Sequence, residues 1–142
     1  MSNAQLSHSD QPLDSVLTNQ LLCAKLSLLF VLFQNALTKA ISETGGAPLA
    51  SQFEQRLNGY ATQHGWSALT GLTDLAELRQ HVPDVEAKML LTVYLSYSQY
   101  ARSLAGQVLG ERVLTFTLIK LLNCMPPELT RLNAQYGIIR PC

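Results

Sequence analysis

Tyr94, Tyr97 and Tyr100 recur every third residue and are the side chains best suited to holding a ligand. On a helix this spacing gives a slightly drifting ridge. Aromatic faces that stack and hydroxyls that orient suit the wall of an apolar pocket, with Trp66 and Phe33 as further lining. The same ridge also suits a half-buried seam against another helix or subunit, its hydroxyls reaching water. The seam is the reading preferred here.

Catalytic patterns are scarcer. His64 and His81 stand at expected helix ends, where the helix dipole favours a cation. Neither has a serine or cysteine at a motif spacing, and no GxSxG occurs. Asp84 and Glu86 are two apart, so on a helix they diverge and act as first-turn acids. Asp74 and Glu77 could share a face, but with Arg79 and Arg102 near those elements, surface ion pairing is the expected role. No Glu-x-x-His pattern suggests a di-iron bundle. Gly106 and Gly110 lack both a preceding strand and a following Gly-Lys-Ser/Thr, so a close helix approach or a bend explains them better than a phosphate loop. Cys23, Cys124 and Cys142 are widely spaced and odd in number, which fits reduced thiols rather than a zinc site or disulfide framework. The expectation is a non-enzyme with no metal and no cofactor.

The elements that carry these residues follow a helical period almost throughout. A first helix is predicted from about Leu13 to Glu43. Its centre, Leu21–Phe33, is apolar nearly all round and must be packed by neighbours on several sides. Gly45-Gly46 stops it, and Pro48 opens a second helix to His64 with Leu49, Phe53, Leu57 and Tyr60-Ala61 on one face. Trp66 is expected to plug the core from the next turn. Thr73-Asp74 reads as the start of a short helix ending near His81. Pro83 begins the tyrosine helix, and a fifth helix covers about Glu111 to Asn123 with Leu114, Leu118 and Leu121-Leu122 at helical spacing. A short sixth helix follows Pro126-Pro127 and closes at Gly137. The fold class is therefore all-α: one bundle of five or six helices over 13–140 around a long apolar first helix, after a disordered segment over 1–12.

Composition bounds the partners. Of 142 residues 47% are hydrophobic and only 14% charged, against about 25% charged in typical domains. So apolar a surface argues for a homodimer or a neighbouring domain of a longer chain. The opening Met1-Ser2-Asn3-Ala4 reads in part as an expression scar, and the end at Pro141-Cys142 is abrupt, so an excised piece of a longer protein is expected. Ten basic and ten acidic residues cancel without forming runs, which argues against a nucleic-acid surface. Lys25, Gln34, Asn35 and Lys39 interrupt the apolar run within the length a membrane span needs, and no basic stretch precedes it as in a signal peptide. A cytoplasmic chain without a membrane span is expected.

The order of the C-terminal half is loosely reminiscent of small helical modules in prokaryotic signalling proteins. It runs long helix, Leu109-Gly110-Glu111-Arg112 bend, apolar helix, Pro126-Pro127-Glu128, then Tyr136-Gly137-Ile138-Ile139. The resemblance assigns no residue roles. Together these readings favour a dimerising or sensory N-terminal module of such a protein. The alternative is a small-molecule sensor whose pocket is lined by Tyr94, Tyr97, Tyr100, Trp66 and Phe33.

Overall fold

The computed structural model describes residues 18–70 and 82–141 in full. Within them the protein is all-α, with no strand. The expected irregular segment over 1–12 and the expected short helix from Thr73 to near His81 lie outside the described residues.

The first helix, α1 (Ser2–His64), is broken at Gly46 into two arms. Gly46 has φ 86° and ψ 174°, a region open essentially to glycine alone. A Cβ on the preceding Gly45 would collide with the Leu49 side chain. The Gly-Gly pair thus permits both the sharp reversal and the close approach after it. A single helical turn, α2 (Ser67–Thr70), follows Gly65. Next come α3 (Ala87–Leu109), α4 (Glu111–Cys124) and α5 (Pro127–Tyr136).

Side-chain pairings set the directions. Asn19 meets Ala87, Ser27 meets Tyr94 and Phe30 meets Tyr97, so α3 runs beside the first arm of α1 in the same sense. Gly110, at φ 84° and ψ 153°, turns the chain straight into α4. A Cβ on Gly106 would sit 2.9 Å from Glu111 Oε1 and 3.4 Å from Leu114, so the two glycines serve close approach and bend respectively. α4 then descends antiparallel to the first arm, and Glu128 just beyond it pairs with Lys25.

The apolar run supplies the core. Cys23, Leu26, Leu29, Phe30, Val31 and Phe33 are buried, while Leu21 is exposed at the outer side. Phe53, Leu57 and Ala61 cover them from the second arm, Leu90 to Ala105 from α3, and Leu114 and Leu118 from α4. By length and composition α1 could cross a membrane, but half of its most apolar window is buried inside the bundle.

Two asparagines tie distant segments to this core. Asn19 Oδ1 accepts the Ala87 N–H at 2.7 Å and its Nδ2 donates to the Val85 carbonyl at 2.8 Å. This clamp caps α3 from another helix, and it explains why α3 starts at Ala87 rather than at Pro83, leaving Asp84 and Glu86 ahead of the helix. Asn133 holds the tail the same way, donating to the Ile139 carbonyl at 2.9 Å and accepting its N–H at 2.7 Å. Farther on, Arg102 donates to the Arg140 and Pro141 carbonyls and Thr115 donates to the latter.

Candidate functional site

The tyrosine ridge lies inside the bundle. Tyr94 stacks on Phe30 with ring centroids 4.3 Å apart and planes 3° from parallel. Tyr97 meets the same Phe30 edge-on at 5.1 Å. Tyr60 of the second arm stacks on Tyr100 at 4.1 Å and on Tyr97 at 6.2 Å. Both arms of α1 are thereby joined to α3 by one continuous aromatic cluster of stacked and edge contacts.

Two of the three hydroxyls of this ridge, those of Tyr94 and Tyr97, do not reach water as the seam reading expected. Tyr94 and Tyr97 are fully buried. Tyr94 O–H donates to the Leu69 carbonyl at 3.2 Å, and its oxygen lies 3.0 Å from Ser27 Oγ, which is left to donate to it. Burial pushes the Tyr94 phenol up to about 12, opposed in part by Ser27. Tyr97 is pushed higher, by burial first and then by the negative charge of Glu54. Such phenols stay neutral at physiological pH and are poor acid–base groups there.

The remaining residues expected to line a pocket are spread around the same cluster. Phe33 is buried in the core. Tyr100 and Trp66 are half-buried at its edge, where Trp66 stacks on His64 at 4.6 Å and meets Tyr60 edge-on. Trp66 therefore lids the cluster rather than plugging the core. His64 is exposed, its Nδ1 2.9 Å from the Tyr60 carbonyl, which occupies it with the helix end. Cys23 S–H donates to the Val85 carbonyl at 3.3 Å, and burial raises its thiol, with Asp84 adding to the effect. A thiol so placed is unreactive. No cluster of three metal-ligating side chains occurs among the described residues.

The surface offers a different kind of site. Val113, Phe116 and Ile119 form an outward apolar stripe on α4, and Phe116 is 68% exposed. Beside it a groove of about 390 Å³ runs between α4 and the first arm of α1. Its α1 side is the small-residue pair Ala36 and Ala40 with Lys39 and Glu43; its α4 side includes Phe116, Lys120 and Cys124. The periodicity of Leu114, Leu118 and Leu121 identifies the buried face of α4 but passes over this second stripe. The signal is present, because residues 113, 116 and 119 repeat at steps of three, one or two positions ahead of Leu114, Leu118 and Leu121. Two other clefts are polar and open. One, beside Arg102, Gly106 and Glu111, has its arginine committed to the tail carbonyls and to Glu111 at 3.5 Å.

No family model, curated protein or solved structure matches the chain.

Proposed function

We propose that this chain is a non-catalytic helical interaction or regulatory domain, acting by packing a helix face against a partner and biasing the partner's arrangement. The observation that carries the reading is the open apolar stripe Val113, Phe116 and Ile119 beside a groove, on a protein otherwise sparing in surface charge. A dimerising or sensory N-terminal module of a cytoplasmic prokaryotic signalling protein is the setting that fits it. Nucleic acid and a membrane span have no part in the proposal. The test is Phe116→Glu: it should abolish self-association or capture of the adjoining domain while the thermal melt stays within a few degrees of the parent. Unchanged association would overturn the assignment of this face.

The sensor reading keeps one specific observation. Gln34 Oε1, Tyr97 OH and Ser98 Oγ are buried without a hydrogen-bond partner, an arrangement that costs about 1–3 kcal/mol per group unless something polar meets it. Under that reading a small polar molecule would quench or shift the tyrosine fluorescence in a saturable way, and Tyr97→Phe would remove the response.

A further inference from the structure

Arg112, Phe116 and Lys120 follow one another at steps of four along α4, so the exposed aromatic ring has a cation one turn away on either side. The span from Arg112 to Lys120 is about 12 Å of helix. Both cations are exposed, and neither has an ion-pair or hydrogen-bond partner among the described residues. Lys39 adds a third exposed cation on the α1 rim of the groove. Two carboxylates share the neighbourhood, and each already has a base beside it. Glu43 stands one turn from Lys39 on the same rim, and Glu111 lies 3.5 Å from Arg102. The cations at the two ends of the stripe are therefore left uncompensated. Between the rims, Ala36 and Ala40 leave room for the backbone of another helix to come close.

Resting on the interaction reading above, we infer that the occupant of this groove is an amphipathic helix of a partner protein whose apolar stripe is flanked by carboxylates about two turns apart. Its apolar side chains pack on Val113, Phe116 and Ile119, and its backbone settles against Ala36 and Ala40. Its carboxylates meet Arg112 and Lys120, which fixes the register of the contact. An anionic bilayer would answer the same cations, but it would press a uniform negative plane on Glu43 and Glu111 as well. A helix places its carboxylates only where the cations stand.

Fluorescence anisotropy on the full chain with three labelled, alanine-rich helical peptides tests the assignment. All carry the same leucine stripe and differ only at the residues four before and four after its central leucine: glutamate, glutamine or lysine. In low salt the glutamate peptide should bind roughly tenfold more tightly than the glutamine peptide, with the lysine peptide weakest, and the preference should shrink as salt rises. Phe116→Glu should abolish binding of the glutamate peptide, and Arg112→Glu combined with Lys120→Glu should invert the order in favour of lysine. Equal affinities across the three, or no binding of the glutamate peptide, overturns the acidic helix as occupant. If the chain then self-associates through Phe116, the interaction reading stands with a second copy as partner. If it binds phosphatidylserine vesicles through Phe116 instead, the face belongs to lipid, and a chain that binds nothing through Phe116 overturns the interaction reading too. Circular dichroism of each variant separates loss of contact from loss of fold.

Discussion

Phe30 and Phe116 are the same side chain in opposite settings. Phe30 lies at the centre of α1 with Tyr94 stacked on one face and Tyr97 against its edge, fully removed from water. Phe116 lies on α4 with most of its surface open. The first is surrounded because α1 is sandwiched by its own second arm, by α3 and by α4; the second has helices on one side only. The aromatic cluster that looked most like a ligand site is thus consumed by packing. Of the exposed large apolar residues, Val113, Phe116 and Ile119 lie together on α4 beside a groove. On the proposed reading, the core sets the shape of the domain and the α4 stripe does its work.

The sharpest contrast comes from truncating the two phenylalanines. Phe30→Ala should cost about 3–5 kcal/mol, the range for a large buried aromatic, and lower the melting temperature by many degrees. Phe116→Ala should stay within about 0.5 kcal/mol in the monomer, as for a surface position. Equal costs in chemical denaturation would erase the distinction between the regions.

Next in size is the clamp that holds α3 in register with α1. Asn19→Ala leaves the Ala87 N–H without its partner and the Val85 carbonyl with only the weak Cys23 S–H donor, at a cost of about 1–3 kcal/mol. Asn19→Asp should retain the Ala87 bond but turn a carboxylate oxygen, which only accepts, on the Val85 carbonyl, so its loss in the same denaturation series should be no smaller.

Tyr94 links core packing to alkaline pH. Its folded value near 12 exceeds the ordinary 10, so the fold favours the neutral phenol. That preference is fully present below pH 10 and is lost as pH climbs from there through about 12. Stability should therefore fall across that window, and Tyr94→Phe should flatten part of the fall while costing about 1 kcal/mol at neutral pH through the lost hydroxyl bonds. An equally steep fall in the variant would assign the effect to other groups.

The smallest effect belongs to the surface pair of Lys25 and Glu128. Lys25 holds the exposed Glu128 carboxyl below its usual range, so whatever the pair contributes is present above the ordinary carboxylate range and fades as pH falls through it. Lys25→Met should barely move the melt in physiological salt. A loss as large as that of Asn19→Ala would show that the pair does more than decorate the surface.

The residues explain how much of this was legible. Leu21–Phe33 announces a packed central helix because its apolarity leaves no solvent face, and Gly45-Gly46 with Pro48 marks the reversal through local backbone chemistry. The Asn19 clamp was not legible, since its partners lie more than sixty residues away and an asparagine in a helix has no local signature for capping another. The tyrosine spacing disclosed a ridge but not its burial, which Phe30 and Tyr60 decide from two other stretches of chain. The α4 stripe was present in the spacing of Val113, Phe116 and Ile119, masked by the stronger leucine pattern beside it.

Thiol labelling of Cys124 tests the central claim most directly. Cys124 is exposed and lines the groove, whereas Cys23 is buried and bonded to Val85. In a Cys142→Ser chain, the labelling rate of Cys124 should fall as the glutamate-flanked helical peptide is added, and Phe116→Glu should restore the fast rate at every peptide concentration. A rate independent of both the peptide and Phe116 would contradict the α4 face as a docking surface.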